Sequence, residues 1–315
     1  MAKLSDTTAT SRVALSSRKG GSAGRRRRTA LYGMGPAIAV SLVPSIVLFT
    51  VFFAVPLVVL FTTSFTDWSG RSISFVGFDN FTGILTDPVF LKAIENTVFY
   101  CAVGVLVQVP LGILVGIYLA GRPRGWKVLR AAFFVPYMIS GAAIAMVFTV
   151  VYNPRYGLLN VVVGALGGPT DTDWLASSAT ARIAVAGTFA FVVGFAAVIV
   201  SAEMASMPAE IFEAAELDGT STFQRHLYIT LPMLRNVVGT LVMLSLLGNL
   251  AAFDIVYILT AGGPADSTAT VMVYGYREYI AGNWGAANAV GVVVVLLGLA
   301  LILGVRRLFR IGESQ

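Results

Sequence analysis

"IAVAGTFAFVVGFAAVIVSA", Ile183 to Ala202, is twenty residues long and carries no charge. An α-helix rises about 1.5 Å per residue, so a run of that length crosses the ~30 Å of hydrocarbon in a bilayer. The run lacks the alternation of a barrel strand, and a backbone in lipid must satisfy its own hydrogen bonds, which leaves the helix. Just beyond it the character changes. "EAAELDGTSTFQRHLYITLP", Glu213 to Pro232, is polar, charged and interrupted by Gly219, and a second uncharged run opens at Asn236. A water-facing segment is thus held between two membrane spans.

The same pattern extends along the chain. Uncharged runs recur near 96–119, 131–152, 236–253 and 285–305, and no charge occurs between Arg28 and Asp67. That last stretch exceeds both a signal-peptide core of about 7–15 residues and a straight span of about 20. Pro36, Pro44 and Pro56 divide it, which predicts an interfacial turn near 30–35 and a long, kinked helix. The fold class is therefore an all-α integral membrane protein with six transmembrane helices, near 36–64, 96–119, 131–152, 183–202, 236–258 and 285–305. They form one membrane domain over 29–315, with the polar loop at 206–232. Residues 1–28 are rich in Ser, Thr, Ala, Gly and Arg without hydrophobic period, and read as a disordered basic tail.

Composition agrees with lipid as the solvent. Hydrophobic residues make up 57% of the 315 and charged residues 12%, against about 25% charged in globular domains. A single cysteine, Cys101, excludes a disulfide framework, and a single histidine, His226, excludes a histidine-based metal centre or catalytic triad. The net charge of +6 is placed by topology rather than by nucleic acid. The tail from Lys3 to Arg28, Arg122, Arg124, Lys127, Arg130, Arg225, Arg235, Arg306, Arg307 and Arg310 fall on one side of an even number of spans. Arg71, Lys92, Arg155, Arg182 and Arg277 fall on the other, among more acids. Both termini are expected in the cytoplasm of a multi-pass cell-membrane protein. Arg25 to Arg28 serve that orientation, with anionic lipid headgroups as a further partner, and no nucleic acid is expected.

The polar loop then lies in the cytoplasm. Ser206 and Pro208 suit the start of a short helix, and Glu210, Glu213 and Glu216 recur on roughly one face. Asp218-Gly219 stops it, with Gly219 suited to left-handed backbone, and Thr220 or Ser221 can cap a second helix from Thr222 to Thr230. Pro232 marks the entry to the fifth span. Helices lying on headgroups use basic residues, so an acidic, partly apolar helix favours docking to a soluble protein.

Glu213-Ala214-Ala215, Gly219, Ile229 and Leu231-Pro232 resemble the EAA motif of permease subunits of binding-protein-dependent ABC importers. "SFTDW" (Ser64–Trp68), "VGFDNF" (Val76–Phe81), "NTVFY" (Asn96–Tyr100), "NPRYGLLN" (Asn153–Asn160) and "FDIVYILTAGGP" (Phe253–Pro264) resemble the sugar-importer branch of the MalF and UgpA kind. The resemblance runs from about residue 35 to the C-terminus. It implies that Glu213, Ala214, Ala215, Asp218, Gly219, Leu231 and Pro232 form a coupling loop seated in an ATPase subunit. Glu213 would pair with an ATPase cation or cap local backbone. The implied assembly adds a second homologous permease, two ATP-binding subunits and an extracytoplasmic solute-binding lipoprotein. No cofactor is expected on this chain, and ATP and Mg belong to the ATPase subunits. The residues agree: Lys3, Lys19, Lys92 and Lys127 are the lysines, none follows a glycine, and so no P-loop exists.

A sugar needs hydrogen-bonding groups beside apolar or aromatic faces. Ser245 and Asn249 stand four residues apart on the fifth span, with small Gly248 beside them. These positions and Tyr137 also resemble the substrate-facing ones of the family, and Thr188 is a further candidate. Interhelical hydrogen bonding is the competing role for Ser and Asn. Asp254 is an intramembrane carboxylate, expected to meet the solute, to cap the following GGP loop, or to pair with an outer-side arginine. The outer loops 66–95 and 153–182, with 260–283, would meet a binding protein or form an interfacial aromatic belt. The spans hold no fixed cation, which favours a neutral sugar, and the resemblance to sugar-importer permeases implies a disaccharide such as trehalose. A secondary transporter for a small polar solute is the alternative, but no clear inverted repeat is visible. An integral-membrane enzyme would require clustered acids or histidines at the interface, and no catalytic or metal-binding residue is expected.

Overall fold

The structure is a computed structural model that describes residues 40–70 and 72–309. The basic tail, the turn near 30–35, the first residues of the first span, Arg71 and Arg310 lie outside the described residues. The described residues divide into two units, at residue 58. The described residues are overwhelmingly helical, and the molecule is a helical membrane protein.

Helix α1, Val40–Thr63, is apolar along its length and buries none of its most apolar window. After it a short antiparallel hairpin pairs β1 (Thr66–Trp68) with β2 (Ile73–Phe75). Helix α2 (Asp79–Thr86) follows. Asn80 does not cap it: its amide donates to the Ser64 and Thr66 carbonyls, each at 2.9 Å, and the N-cap, Phe78, makes no side-chain bond. The polar side chain is spent tying α2 to the chain entering the hairpin.

The long apolar helices are α1, α3 (Pro88–Ala120), the pair α7 (Ser178–Phe191) and α8 (Gly194–Ser206), and α14 (Trp284–Phe309). Among the described residues four helices are long and apolar enough to cross a membrane, and up to six if two bent pairs each count as one span. The single helix expected at 131–152 is one of these pairs: α4 (Trp126–Met138) and α5 (Gly141–Val151) meet at 105°. Pro136 lies in the last turn of α4, and the Ser140 hydroxyl accepts from the Ala143 amide to start α5. A proline with a serine cap four residues on ends one helix and begins another. The fifth span differs as well. It is α11 (Arg235–Leu250), which then breaks at Ala251–Phe253 before α12 (Asp254–Thr260). At its other end α10 (Thr222–Met233) joins α11 at 71°.

Three π-turns, Thr50–Ala54, Gly104–Gln108 and His226–Thr230, each end two residues before a proline: Pro56, Pro110 and Pro232. Proline removes one hydrogen bond and its ring presses on the carbonyl four residues back. A widened turn at that place re-aims the carbonyl without ending the helix.

Helix α6 (Leu158–Ala165) follows α5, and α13 (Val271–Ile280) packs on α3 and α14 near where they begin. Asp87 caps α3 through the Val89 amide and accepts the Tyr274 hydroxyl at 2.6 Å. Burial foremost, then that bond and the charges of Glu278 and Asp87, push the Tyr274 phenol well above its ordinary value. Arg277 pairs with Asp266 at 2.6 Å and Arg182 with Glu95 at 2.8 Å. Lys92 and Asn96 reach the carbonyls of Ala265, Asp266 and Ala269. The loop after α12 is thereby fastened to α3. At the opposite end of α14, about 39 Å away for its 26 residues at 1.5 Å each, Met207, Leu231 and Phe309 pack against Val200, Leu234 and Val305.

Candidate solute cavity and cytoplasmic loop

The polar loop begins with α9 (Ala209–Leu217). Its N-cap is Pro208 with no side-chain bond, and the Ser206 hydroxyl donates back to Glu203 rather than capping. Its end is a Schellman turn: the Thr220 amide reaches the Ala215 carbonyl at 3.1 Å and the Gly219 amide the Glu216 carbonyl at 3.0 Å. Gly219 has φ +72°, which a side chain would strain. Ser221 and Gln224 then form a reciprocal capping box for α10, so Ser221, not Thr220, is the cap. Thr220 instead donates to the Ala215 carbonyl. Glu210, Glu213 and Glu216 are all exposed, as are Ala214, Asp218 and Leu217, the last at 89%. Among the described residues Glu213 has no hydrogen-bond partner, so it is not spent on local backbone. Ala215 is buried, Leu231 is half-buried, and Pro232 sits in the first turn of the segment after the π-turn. The loop therefore carries an acidic helix whose outer face has no partner among the described residues.

A cavity of about 520 Å³ opens between the helices, within the ~300–1,000 Å³ range of small-ligand sites. Tyr137, Ser245, Gly248, Asn249 and Asp254 all line it. Thr188 does not: it is fully buried, bonded to the Tyr152 hydroxyl at 3.1 Å and to the Ala184 carbonyl at 3.1 Å. The cavity floor is polar. Ser245 donates to Gln108 Oε1 at 3.2 Å, and Asn249 Nδ2 donates to the Ser245 carbonyl at 2.8 Å. The walls are aromatic: Tyr137 stacks on Phe195 at 4.5 Å, and Phe253 stacks on Tyr257 at 5.2 Å. Gly248 is open, with no atom within 4 Å of where a Cβ would stand.

Among the described residues Asp254 neither caps the GGP loop nor pairs with an arginine. Arg277 and Arg182 are engaged by Asp266 and Glu95, and the Asp254 carboxylate faces Gly141 at the start of α5, across the mouth of the cavity. It is the sole Asp, Glu, Lys, Arg or His among the lining residues. Sequence reading passed over Phe195 and Phe253, because aromatics in a span ordinarily read as packing.

A cavity with aromatic and polar lining between spans, with an exposed acidic loop beyond the bundle, has the form of a membrane transport subunit. The family model for the inner membrane component of binding-protein-dependent transport systems matches residues 108–311, and the chain belongs to that family. It is 35% identical over 287 residues to the diacetylchitobiose uptake system permease protein NgcF of Streptomyces coelicolor, covering 85% of this chain and 81% of that one. It is 30% identical over 230 residues to the trehalose/maltose transport system permease protein MalF of Thermococcus litoralis, covering 73% and 78%. The fold is also that of a bacterial ABC transporter involved in alginate import, at TM-score 0.76 and 22% identity over 92% of this chain and 98% of that one. The chain is a multi-pass transport subunit and not an enzyme. Among the described residues no group of three or more His, Cys, Asp or Glu could hold a metal.

Proposed function

We propose that the chain is a permease subunit of an ATP-driven importer for a neutral sugar, a disaccharide such as trehalose. The cavity carries this reading: Ser245 and Asn249 offer hydrogen bonds beneath Tyr137 and Phe195, in a volume of about 520 Å³ free of fixed cations. The sugar names of the relatives at 35% and 30% identity support it. Helix α9 is the coupling element, with the acidic face of Glu213 in a cleft of one ATPase subunit and Gly219 setting the angle to α10. A second permease, two ATPase subunits that hold ATP and Mg, and an extracytoplasmic binding protein complete the importer. Both termini face the cytoplasm, a reading that the placement of lysine and arginine supports.

The test is uptake by the complete importer in proteoliposomes. Glu213→Arg and Gly219→Val are expected to cut ATP-driven uptake at least ~10-fold, while the chain still inserts and ATP hydrolysis continues, because a remote two-state element has been disconnected. Unimpaired uptake in both variants would refute the coupling role. Uptake without ATP would refute the importer class.

Asp254 sharpens the solute class. A carboxylate at the mouth repels an anionic sugar across low-dielectric walls, with an exposed position softening the effect. In the solubilised complex, Asp254→Asn is expected to strengthen binding of a uronate-bearing disaccharide ~5-fold and to leave its neutral parent within twofold. Equal effects on both sugars would remove charge as the reason.

A further inference from the structure

Span four is not a continuous helix. α7 stops at Phe191, α8 starts at Gly194, and Val192 (φ −87°, ψ 62°) lies between them. A break at membrane depth frees carbonyls, each costing several kcal/mol if left unmet, and is tolerated only where the backbone is buried in protein or lines a cavity. The Val192 carbonyl is met by Gln108 Nε2 at 2.9 Å, from a residue 84 positions away. The π-turn Gly104–Gln108 carries that amide, and it closes at Gln108 two residues ahead of Pro110.

The other half of the same amide serves the cavity. Gln108 Oε1 accepts the Ser245 hydroxyl at 3.2 Å, and Asn249 Nδ2 lies 3.4 Å from that hydroxyl. Only one orientation of the amide satisfies both neighbours, because the Val192 carbonyl needs a donor and the Ser245 hydroxyl here needs an acceptor. Gly104 allows the approach: a Cβ there would stand 2.5 Å from Ser245 Oγ and would also strike the Asn249 amide. One side chain thus joins the broken turn of span four to the polar face of span five. Val192, Gln108, Ser245 and Asn249 all line the cavity.

We propose that Gln108 is a positioning residue for the solute. It holds the unwound turn of span four and orients Ser245, which in turn holds the Asn249 amide by its nitrogen and leaves the carbonyl oxygen of that amide for a sugar hydroxyl. The proposal rests on the reading of this cavity as the solute path. Gln108→Leu removes both bonds at similar volume. Gln108→Glu restores them only when its carboxyl carries a proton, since the acid then donates to Val192 and accepts from Ser245 as the amide does.

Saturation-transfer NMR on the complete importer in nanodiscs reads solute binding directly. The probes are trehalose, maltose and diacetylchitobiose, and the one with the strongest wild-type signal is carried forward. Gln108→Leu is expected to weaken its binding at least ~10-fold while the melting temperature of the assembled complex moves by a few degrees at most. Gln108→Glu is expected to regain affinity as pH is lowered, whereas the wild type stays flat. In a Ser245→Ala background the Gln108→Leu change is expected to cost markedly less, because the two residues act as one unit. Affinity of Gln108→Leu within twofold of wild type overturns the proposal, as does a pH-independent Gln108→Glu. Should Gln108→Leu not assemble, the Gln108→Glu pH series and Ser245→Ala decide alone. Gly248→Phe separates the two levels. If it leaves binding intact, or no probe binds the wild type, the cavity reading fails and this proposal with it. If it abolishes binding while Gln108→Leu does not, only the positioning role fails.

Discussion

Gly194→Ala is expected to remove the folded protein from the membrane. A Cβ at Gly194 would overlap the Phe133 carbonyl oxygen and lie 2.6 Å from its carbon and 2.9 Å from the Phe134 Cα. All three are backbone atoms of α4, so no rotamer change can relieve the contact. Overpacking against side chains costs about 1–3 kcal/mol, and a collision with a helix backbone exceeds that range. The movement would also pull on the break beside it, where Val192 is held by Gln108. The measurement is the yield and thermal stability of the detergent-solubilised importer by fluorescence size-exclusion chromatography. A normal peak that melts at the wild-type temperature would show that α4 can shift freely, against the packing described.

The same residue type gives the opposite result one span further on. Gly248→Phe is expected to leave yield and melting temperature unchanged and to lower sugar uptake ~100-fold, because the ring would occupy the cavity without striking the fold. Nothing lies within 4 Å of the position a Cβ would take, and Gly248 lines the cavity beside Ser245 and Asn249. Gly248→Ala, which adds one methyl to a site of about 520 Å³, is expected to reduce uptake by less than threefold. Uptake retained in Gly248→Phe would mean that the sugar passes elsewhere. The pair of glycines therefore tests the packing of α4 on α8 and the solute path with independent readouts.

The contrast between these glycines marks the limit of linear reading. Hydropathy is a sum over neighbouring residues, so the apolar runs and the polar loop at 206–232 were visible as soon as they were counted. Local punctuation was visible for the same reason: Gly219 ends α9 because the chain there must turn left-handed, and Ser221 caps α10 with Gln224 three residues on. Even the fracture of the third span had its signal in Pro136 and Ser140, though the continuous apolar run concealed it.

Which polar side chains share a site is a different kind of property. Ser245, Asn249 and Thr188 look alike in a helical pattern, yet Thr188 is consumed by Tyr152 while the other two reach the cavity. Gln108 stands in an apolar stretch with no polar neighbour to mark it, and it meets Val192 across 84 residues and Ser245 across 137. Periodicity tells which residues share a face of one helix. It says nothing of the neighbour that face will meet, because the approach of two backbones depends on Gly104 and Gly194 at positions whose partners are distant in the chain. The amino-acid pattern alone determined a helical membrane protein with a soluble loop, since both follow from local transfer energies. The cavity and the amide that organises it exist only once helices far apart in sequence are packed, since each depends on contacts that no local window contains.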